Sequence, residues 1–174
     1  MIYKRMKGTI METIVQAKRV LEIFKEMSQI PRESGNEKGI SDYIVNFAKN
    51  LGLEAHQDEI LNVVIKKAAS PGYESRPSII IQGHIDMVCV KDHASNHDFS
   101  KDPIANIIEG EWMCADHTTL GADNGMGAAM MLAILEDESQ QHGPMQLLFT
   151  TNEETGMDGA FALKDCLLYT SPSP

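Results

Sequence analysis

No run of apolar residues approaches the ~20 needed to span a membrane, and Met1 to Met11 has no apolar core of the kind a secretory signal carries. Cysteine is scarce. Cys89, Cys114 and Cys166 form an odd, widely spaced set without a C-x-x-C, which fits a reduced, cytoplasmic chain, in which each thiol packs, better than a disulfide framework. Basic residues are short as well: 15 Lys and Arg face 25 Asp and Glu, a formal net charge of −10. That balance argues against nucleic acid and anionic membranes as partners, since both select basic patches. It leaves a cationic metal open. A dinucleotide site lacks its parts too: Gly125-Met126-Gly127 matches only the opening of the fingerprint, its third position is Met130, and the acidic partner is not set on a second strand.

What is present is ordinary for one soluble domain: 174 residues, 43% hydrophobic and 23% charged. Ala17, Val20, Leu21, Phe24 and Met27, set against Lys18, Arg19, Glu22 and Lys25, predict a helix over Met11 to Met27 that is left at Ile30-Pro31. A second helix follows, with Ser34, Gly35 and Asn36 as turn and cap chemistry. Its core stripe is Ile40, Tyr43, Ile44, Phe47, Ala48 and Leu51, and Gly52 is its stop. Short strands are predicted at Leu53 to His56 and Asn62 to Lys67, and the polar Ser70 to Pro77 turn opens a buried central strand beginning at Ile79. Lys91 to Pro103, with Asp92, His93, His97, Asp98 and Asp102, reads as a solvated loop. Ile104 to Trp112 includes another strand. Met126, Ala129, Met130, Ala133 and Ile134 mark the buried stripe of a helix, and Met145 to Thr151 a second buried strand. Two apolar strands separated by a helix predict an α/β fold, a mixed sheet flanked by helices.

Polar residues gather where these apolar elements end. His84 and Asp86 stand two residues apart, hence on one face of an extended strand. A ligating imidazole commonly donates its other N–H to a carboxylate, so Asp86 suits the orientation of a ligand His84; a buried histidine satisfied by a polar partner is the plainer alternative. Asp123 stands at the entry to the next helix, as ligand or as cap. Glu153-Glu154 closes the Met145 strand, as a functional pair or as acids favoured by a helix dipole. Their coincidence at the carboxyl ends of α/β strands, where sites of such folds form, favours one site made of His84, Asp86, Asp123, Glu153 and Glu154. Imidazole and carboxylate donors suit Zn2+, with Mn2+ or Co2+ as alternatives where carboxylates dominate. Two ions about 3.5–4 Å apart would polarise a carbonyl and activate water, and a neighbouring glutamate would take the proton.

Gly83-His84-Ile85-Asp86-Met87-Val88, Thr119-Leu120-Gly121-Ala122-Asp123-Asn124-Gly125 and Thr150-Thr151-Asn152-Glu153-Glu154-Thr155-Gly156-Met157 together resemble three motifs of metallopeptidase family M20, in the family's order. The likeness runs from about Ile14 to Leu168, and within the family the chain looks most like the cytosolic aminoacyl-histidine (beta-alanyl-histidine) dipeptidases. The resemblance implies that His84 binds one zinc, Asp123 bridges two and Glu154 binds the other. It implies that Asp86 orients His84, and that Glu153 serves as general base and then general acid. The implied reaction is hydrolysis of small peptide substrates, dipeptides of Xaa-His or carnosine type, by metal-activated water. A cis Asp123-Asn124 bond and homodimerisation of full-length members are implied as well. Another M20 amidohydrolase, such as a tripeptidase or N-acyl amino-acid deacylase, and a non-catalytic α/β binding fragment are the competing expectations.

The family pattern also contains a later carboxylate ligand, a distal histidine ligand and an inserted lid and dimerisation domain, none of which has a counterpart here. Asp165 stands too early to be that carboxylate. Residues 1–168 are therefore expected to be the N-terminal part of an M20 catalytic domain, with too few protein donors for each metal and little activity alone. Tyr169 to Pro174, a low-complexity stretch of Ser and Pro, is expected to be a foreign tail. His117, where the family has glycine, and Asn152, where aspartate is common, depart from the pattern without touching the proposed ligands.

Overall fold

The computed structural model describes residues 17–163; the predicted helix start at 11–16, Asp165, Cys166 and the 169–174 tail lie outside the described residues. Two helices come first, α1 (residues 17–28) and α2 (Lys38–Asn50). They form because Ile23, Phe24 and Met27, then Ile40, Ile44 and Ala48, recur at helical spacing and are wholly buried. α2 stops as predicted: Gly52 takes a φ of 71° just past its end, and the Leu53 N–H returns to the Ala48 carbonyl. Its start differs. Glu37, rather than Ser34 to Asn36, occupies the cap position and no side chain caps the helix; Ser34 is committed to Asp86 instead. Leu51, placed in the core stripe by its spacing, is 38% exposed.

The strands are β1 (Glu54–Gln57), β2 (Val63–Lys67), β3 (Ile79–His84), β4 (Asn106–Glu109), β5 (Trp112–Ala115) and β6 (Met145–Thr150). Four of them make a mixed sheet in the order β1-β2-β6-β3, and β4 and β5 pair as a separate antiparallel ladder. Within the main sheet β2 is antiparallel to both β1 and β6, whereas β3 and β6 run parallel. The α/β architecture with a mixed sheet is therefore the predicted one, but two placements change. The Ile79 strand is an edge strand, with Ile79 and Ile80 about half exposed, and β6, buried along its whole length, is central. An apolar run signals β structure without signalling sheet order. The strand expected within Ile104 to Trp112 is β4, and it turns at Gly110, whose φ is 61°, into a second arm, β5, that Trp112-Met113-Cys114-Ala115 marks with no polar alternation.

The connection between parallel β3 and β6 runs through this hairpin and α3 (Ala122–Glu136). α3 buries Ala128, Ala129, Met131, Leu132 and Leu135, whereas Met130 and Ile134 of the predicted stripe are 48% and 37% exposed. The helix is apolar nearly all round, so its period does not select a face; packing on the sheet and α1 does. Its buried side chains join Ile23, Phe24, Ile44, Val63, Ile65, Leu147 and Phe149 in one core, where each large aliphatic or aromatic side chain contributes about 1.5–3 kcal/mol on burial. Cys89 and Cys114 are free and half-buried, and burial pushes the Cys89 thiol up to about 11.

The C-terminal end of α3 is met by Lys67 of β2. Its Nζ donates to the carbonyls of Ile134, Leu135 and Asp137 at 3.0, 2.9 and 3.2 Å, placing a cation on the negative end of the helix dipole. Burial lowers the Lys67 pKa, opposed by Asp137 and Glu138. Lys67→Met keeps the aliphatic stem and removes the donor, and is expected to cost about 1–2 kcal/mol, read as a lower urea midpoint at unchanged slope.

β3 and β6 end in step. Gly83 pairs with Phe149 and His84 with Thr150, and the Ile85 N–H continues the ladder to the Thr150 carbonyl at 2.9 Å. Asp86 therefore leaves the sheet beside the chain that enters α4 (Glu153–Gly156) and then α5 (Asp158–Phe161). The start of α3 lies over the same edge, since a Cβ added at Gly83 would stand 3.2 Å from Asn124 Oδ1.

Candidate metal centre

His84 ends β3 with its side chain only 9% exposed. Its Nε2 lies 3.3 Å from Asp123 Oδ1 and 3.9 Å from Glu153 Oε2, and its Nδ1 lies 3.3 Å from Asp86 Oδ1. Nδ1 nevertheless has no aligned hydrogen-bond partner among the described residues, so the Asp86 contact is one of charge proximity. Burial by itself would lower the His84 pKa; Asp86, Glu153 and Asp123 outweigh it and raise the imidazole above its ordinary value.

Asp86 is fully buried and does more than face His84. Its Oδ1 accepts the Glu153 N–H at 3.1 Å, and its Oδ2 accepts the Glu154 N–H at 3.1 Å and the Ser34 hydroxyl at 2.7 Å. Burial would raise its pKa, but the contacts with His84, Ser34 and the two amides prevail and pull it down to about 2. The carboxylate thus receives the first N–H groups of the very turn that carries Glu153 and Glu154. Both acids therefore open a short helix and at the same time lie near His84.

Asn152, at a φ of 55°, is fixed from the other side. Its N–H donates to Oε1 of the buried Glu37 at 3.0 Å. One residue earlier, the Thr151 N–H donates to Asn62 Oδ1 at 3.1 Å, while Asn62 Nδ2 reaches the Gly159 carbonyl at 2.9 Å. Ser34, Glu37 and Asn62 are the residues that sequence reading does not reach. Ser34-Gly35-Asn36-Glu37 reads locally as helix-start chemistry, and nothing along the chain announces partners fifty and more residues away.

Asp123 does not cap α3, for Gly121 holds the cap position and no side-chain cap forms. Its bond to Asn124 is cis, as the resemblance implies, and its side chain is 87% exposed with Oδ1 turned to His84. Donor atoms of His84, Glu153 and Glu154 lie within 4.8 Å of one another. Burial raises the Glu154 pKa, with Glu153, Asp123 and Asp86 adding to it against His84. The donors fit a metal: tetrahedral zinc with bonds of about 2.0–2.1 Å separates its donors by roughly 3.3–3.4 Å, the distance at which His84 Nε2 and Asp123 Oδ1 stand. A cation would also relieve the crowding of four carboxylates around one imidazole. Beside the donors opens a cleft of about 510 Å³ with an apolar wall of Leu148, Met157, Ala160 and Leu163. The loop histidines gather no comparable donor group among the described residues; His117 pairs with Asp92.

A model of peptidase family M20/M25/M40 matches residues 80–171, just over half of the chain. The chain belongs to peptidase family M20/M25/M40. It is 47% identical over 143 residues to the cytosol non-specific dipeptidase of Escherichia coli K12, an alignment covering 82% of this chain and 30% of that protein. Among solved structures it is similar to the aminoacylhistidine dipeptidase of Vibrio alginolyticus, with a TM-score of 0.81 and 44% identity over 84% of this chain and 30% of that one. A tripeptidase of Staphylococcus aureus follows at a TM-score of 0.73 and 28% identity, covering 87% of this chain and 41% of that one. The chain thus spans about a third of the length of such relatives. The α/β fold is that of M20 peptidases, and no helix among the described residues is long and apolar enough to cross a membrane.

Proposed function

We propose that this chain carries the N-terminal part of an M20 metallo-dipeptidase site, in which His84, Asp123 and Glu154 hold metal, Asp123 as the bridge between two ions. The observation that carries this reading is the approach of His84 Nε2 to Asp123 Oδ1 at 3.3 Å beside the Glu153 and Glu154 carboxylates. Metal held by His84, Asp123 and Glu154, taken as zinc, would supply Lewis acidity toward a scissile carbonyl and toward water. Glu153, with Oε2 3.9 Å from His84 Nε2, accepts the proton of the attacking water and delivers it to the leaving amine nitrogen. Asp86 keeps Glu153 and Glu154 in place through their amides. The likeness to the two dipeptidases favours a dipeptide substrate, Xaa-His among them, in the cytoplasm. Residues 1–168 would form the N-terminal part of the catalytic domain, and subunit pairing is carried over only for a chain that includes a lid domain.

Zinc loading tests the reading. Metal-free chain dialysed against Zn2+ is expected to retain the metal on elemental analysis and to melt at a higher temperature, because a ligand selective for the native state stabilises it. Chelation should reverse both effects. Protein that emerges without zinc and with an unchanged Tm would overturn the proposal. Alanyl-histidine, a tripeptide and an N-acetyl amino acid, offered to a zinc-loaded assembly in which the missing ligands complete the site, separate the dipeptidase from its M20 alternatives.

A further inference from the structure

Arg32 lies in the connection between α1 and α2 and is only 2% exposed. Among the described residues it has no ion-pair partner; its guanidinium meets three main-chain carbonyls instead. Nη1 donates to the carbonyls of Ile85 and Asp86 at 3.2 Å each, and Nη2 donates to that of Gly121 at 2.6 Å. A desolvated charge is costly unless its N–H groups are met, and burial here lowers the Arg32 pKa to about 10. The sequence makes room for this side chain within the Asp123 motif. Gly121 has a φ of 69°, and a Cβ there would stand 2.4 Å from Arg32 Nη2; one at Gly125 would stand 2.6 Å from it. The backbone around Arg32 is anchored too, because the Met87 N–H donates to the Arg32 carbonyl at 3.2 Å and Glu33 forms a parallel bridge with Met87.

We propose that Arg32 is a positioning residue that sets the separation of His84 from Asp123 by clamping the Ile85 and Asp86 carbonyls to the Gly121 carbonyl. These two donors come from different elements and approach to 3.3 Å, yet Asp123 is otherwise largely exposed. The fork of a guanidinium reaches both sides of the gap, one nitrogen to each; the single ammonium of a lysine does not. The consequence for metal binding rests on the function proposed above, whereas the clamp itself rests on the three hydrogen bonds.

Arg32→Lys and Arg32→Met test the clamp, with Ile44→Ala, a core truncation in α2, as a comparison that lowers stability away from the site. Co2+ affinity of the full chain is measured by visible absorption, and amide hydrogen exchange is followed without metal. Arg32→Lys is expected to weaken Co2+ binding roughly tenfold or more, as outer-sphere substitutions do, and to change the absorption bands. Exchange at Met87 and Gly125 should accelerate while α2 stays protected. Ile44→Ala should keep wild-type Co2+ affinity at equal or greater loss of stability. The proposal is overturned if the Arg32 variants bind Co2+ as the wild type does, or lose no more affinity than Ile44→Ala. Wild-type chain that binds no Co2+ sinks the metal reading separately. The exchange pattern then decides the clamp: loosening confined to Met87 and Gly125 sustains it, and uniform or unchanged exchange overturns it.

Discussion

His84→Ala is expected to lower Zn2+ affinity roughly a hundredfold or more, since it removes the one nitrogen donor of the set and leaves carboxylates that bind zinc less selectively. His84 is the most constrained of the donors: it ends a strand, is nearly buried, and presents Nε2 to Asp123 and Glu153. Glu153→Ala provides the contrast. If Glu153 moves a proton and does not hold metal, its loss leaves Zn2+ affinity within a few-fold and removes dipeptide hydrolysis in whatever assembly shows it. Isothermal titration of both variants decides the roles. Equal losses would make Glu153 a ligand, which its place in the same donor group permits, and an unaltered affinity in His84→Ala would return His84 to a merely buried histidine. A far-UV spectrum and a urea midpoint establish that each variant is folded.

Much of this site is legible in the sequence because chemistry and secondary structure coincide there. His84 and Asp86 fall at the end of an apolar run, Asp123 at a helix entry, and Glu153-Glu154 at the end of another apolar run; the parallel register of His84 with Thr150 brings the two strand ends to one edge, and the start of α3 lies over it. Periodicity reads the helices and strands for the same reason, in that Ile40, Ile44 and Ala48 have one face to bury. It fails where there is no contrast to read. α3 is apolar on nearly every side, so the buried positions are Met131 and Leu132 rather than Met130 and Ile134, and β3 has the composition of a buried strand while standing at the sheet edge. The supporting residues fail for a different reason. Arg32, Ser34 and Glu37 act through main-chain carbonyls, a carboxylate and an amide far along the chain, and such partners are set by tertiary structure alone.

Asp86→Ala carries the largest expected loss of stability, about 3–5 kcal/mol, the range found when one partner of a buried charge network is removed. Against a typical total of roughly 5–15 kcal/mol, that is enough to lower the thermal midpoint markedly. The substitution strands the Glu153 and Glu154 amides and the Ser34 hydroxyl together, and it leaves His84 Nδ1 without the carboxylate that stands 3.3 Å from it. Ser34→Ala removes only one of these bonds and should cost about 1 kcal/mol. The expected role of Asp86 from the sequence is to orient His84, but its hydrogen bonds run to the start of α4. A double-mutant cycle separates the two. If orienting His84 were its principal work, Asp86→Ala would cost little once His84 is already alanine. If holding the α4 turn is, most of the loss persists in the His84→Ala background, while coupling to Ser34→Ala stays large. The second pattern is expected, because three aligned hydrogen bonds join Asp86 to Ser34 and α4, and its contact with His84 Nδ1 lacks alignment.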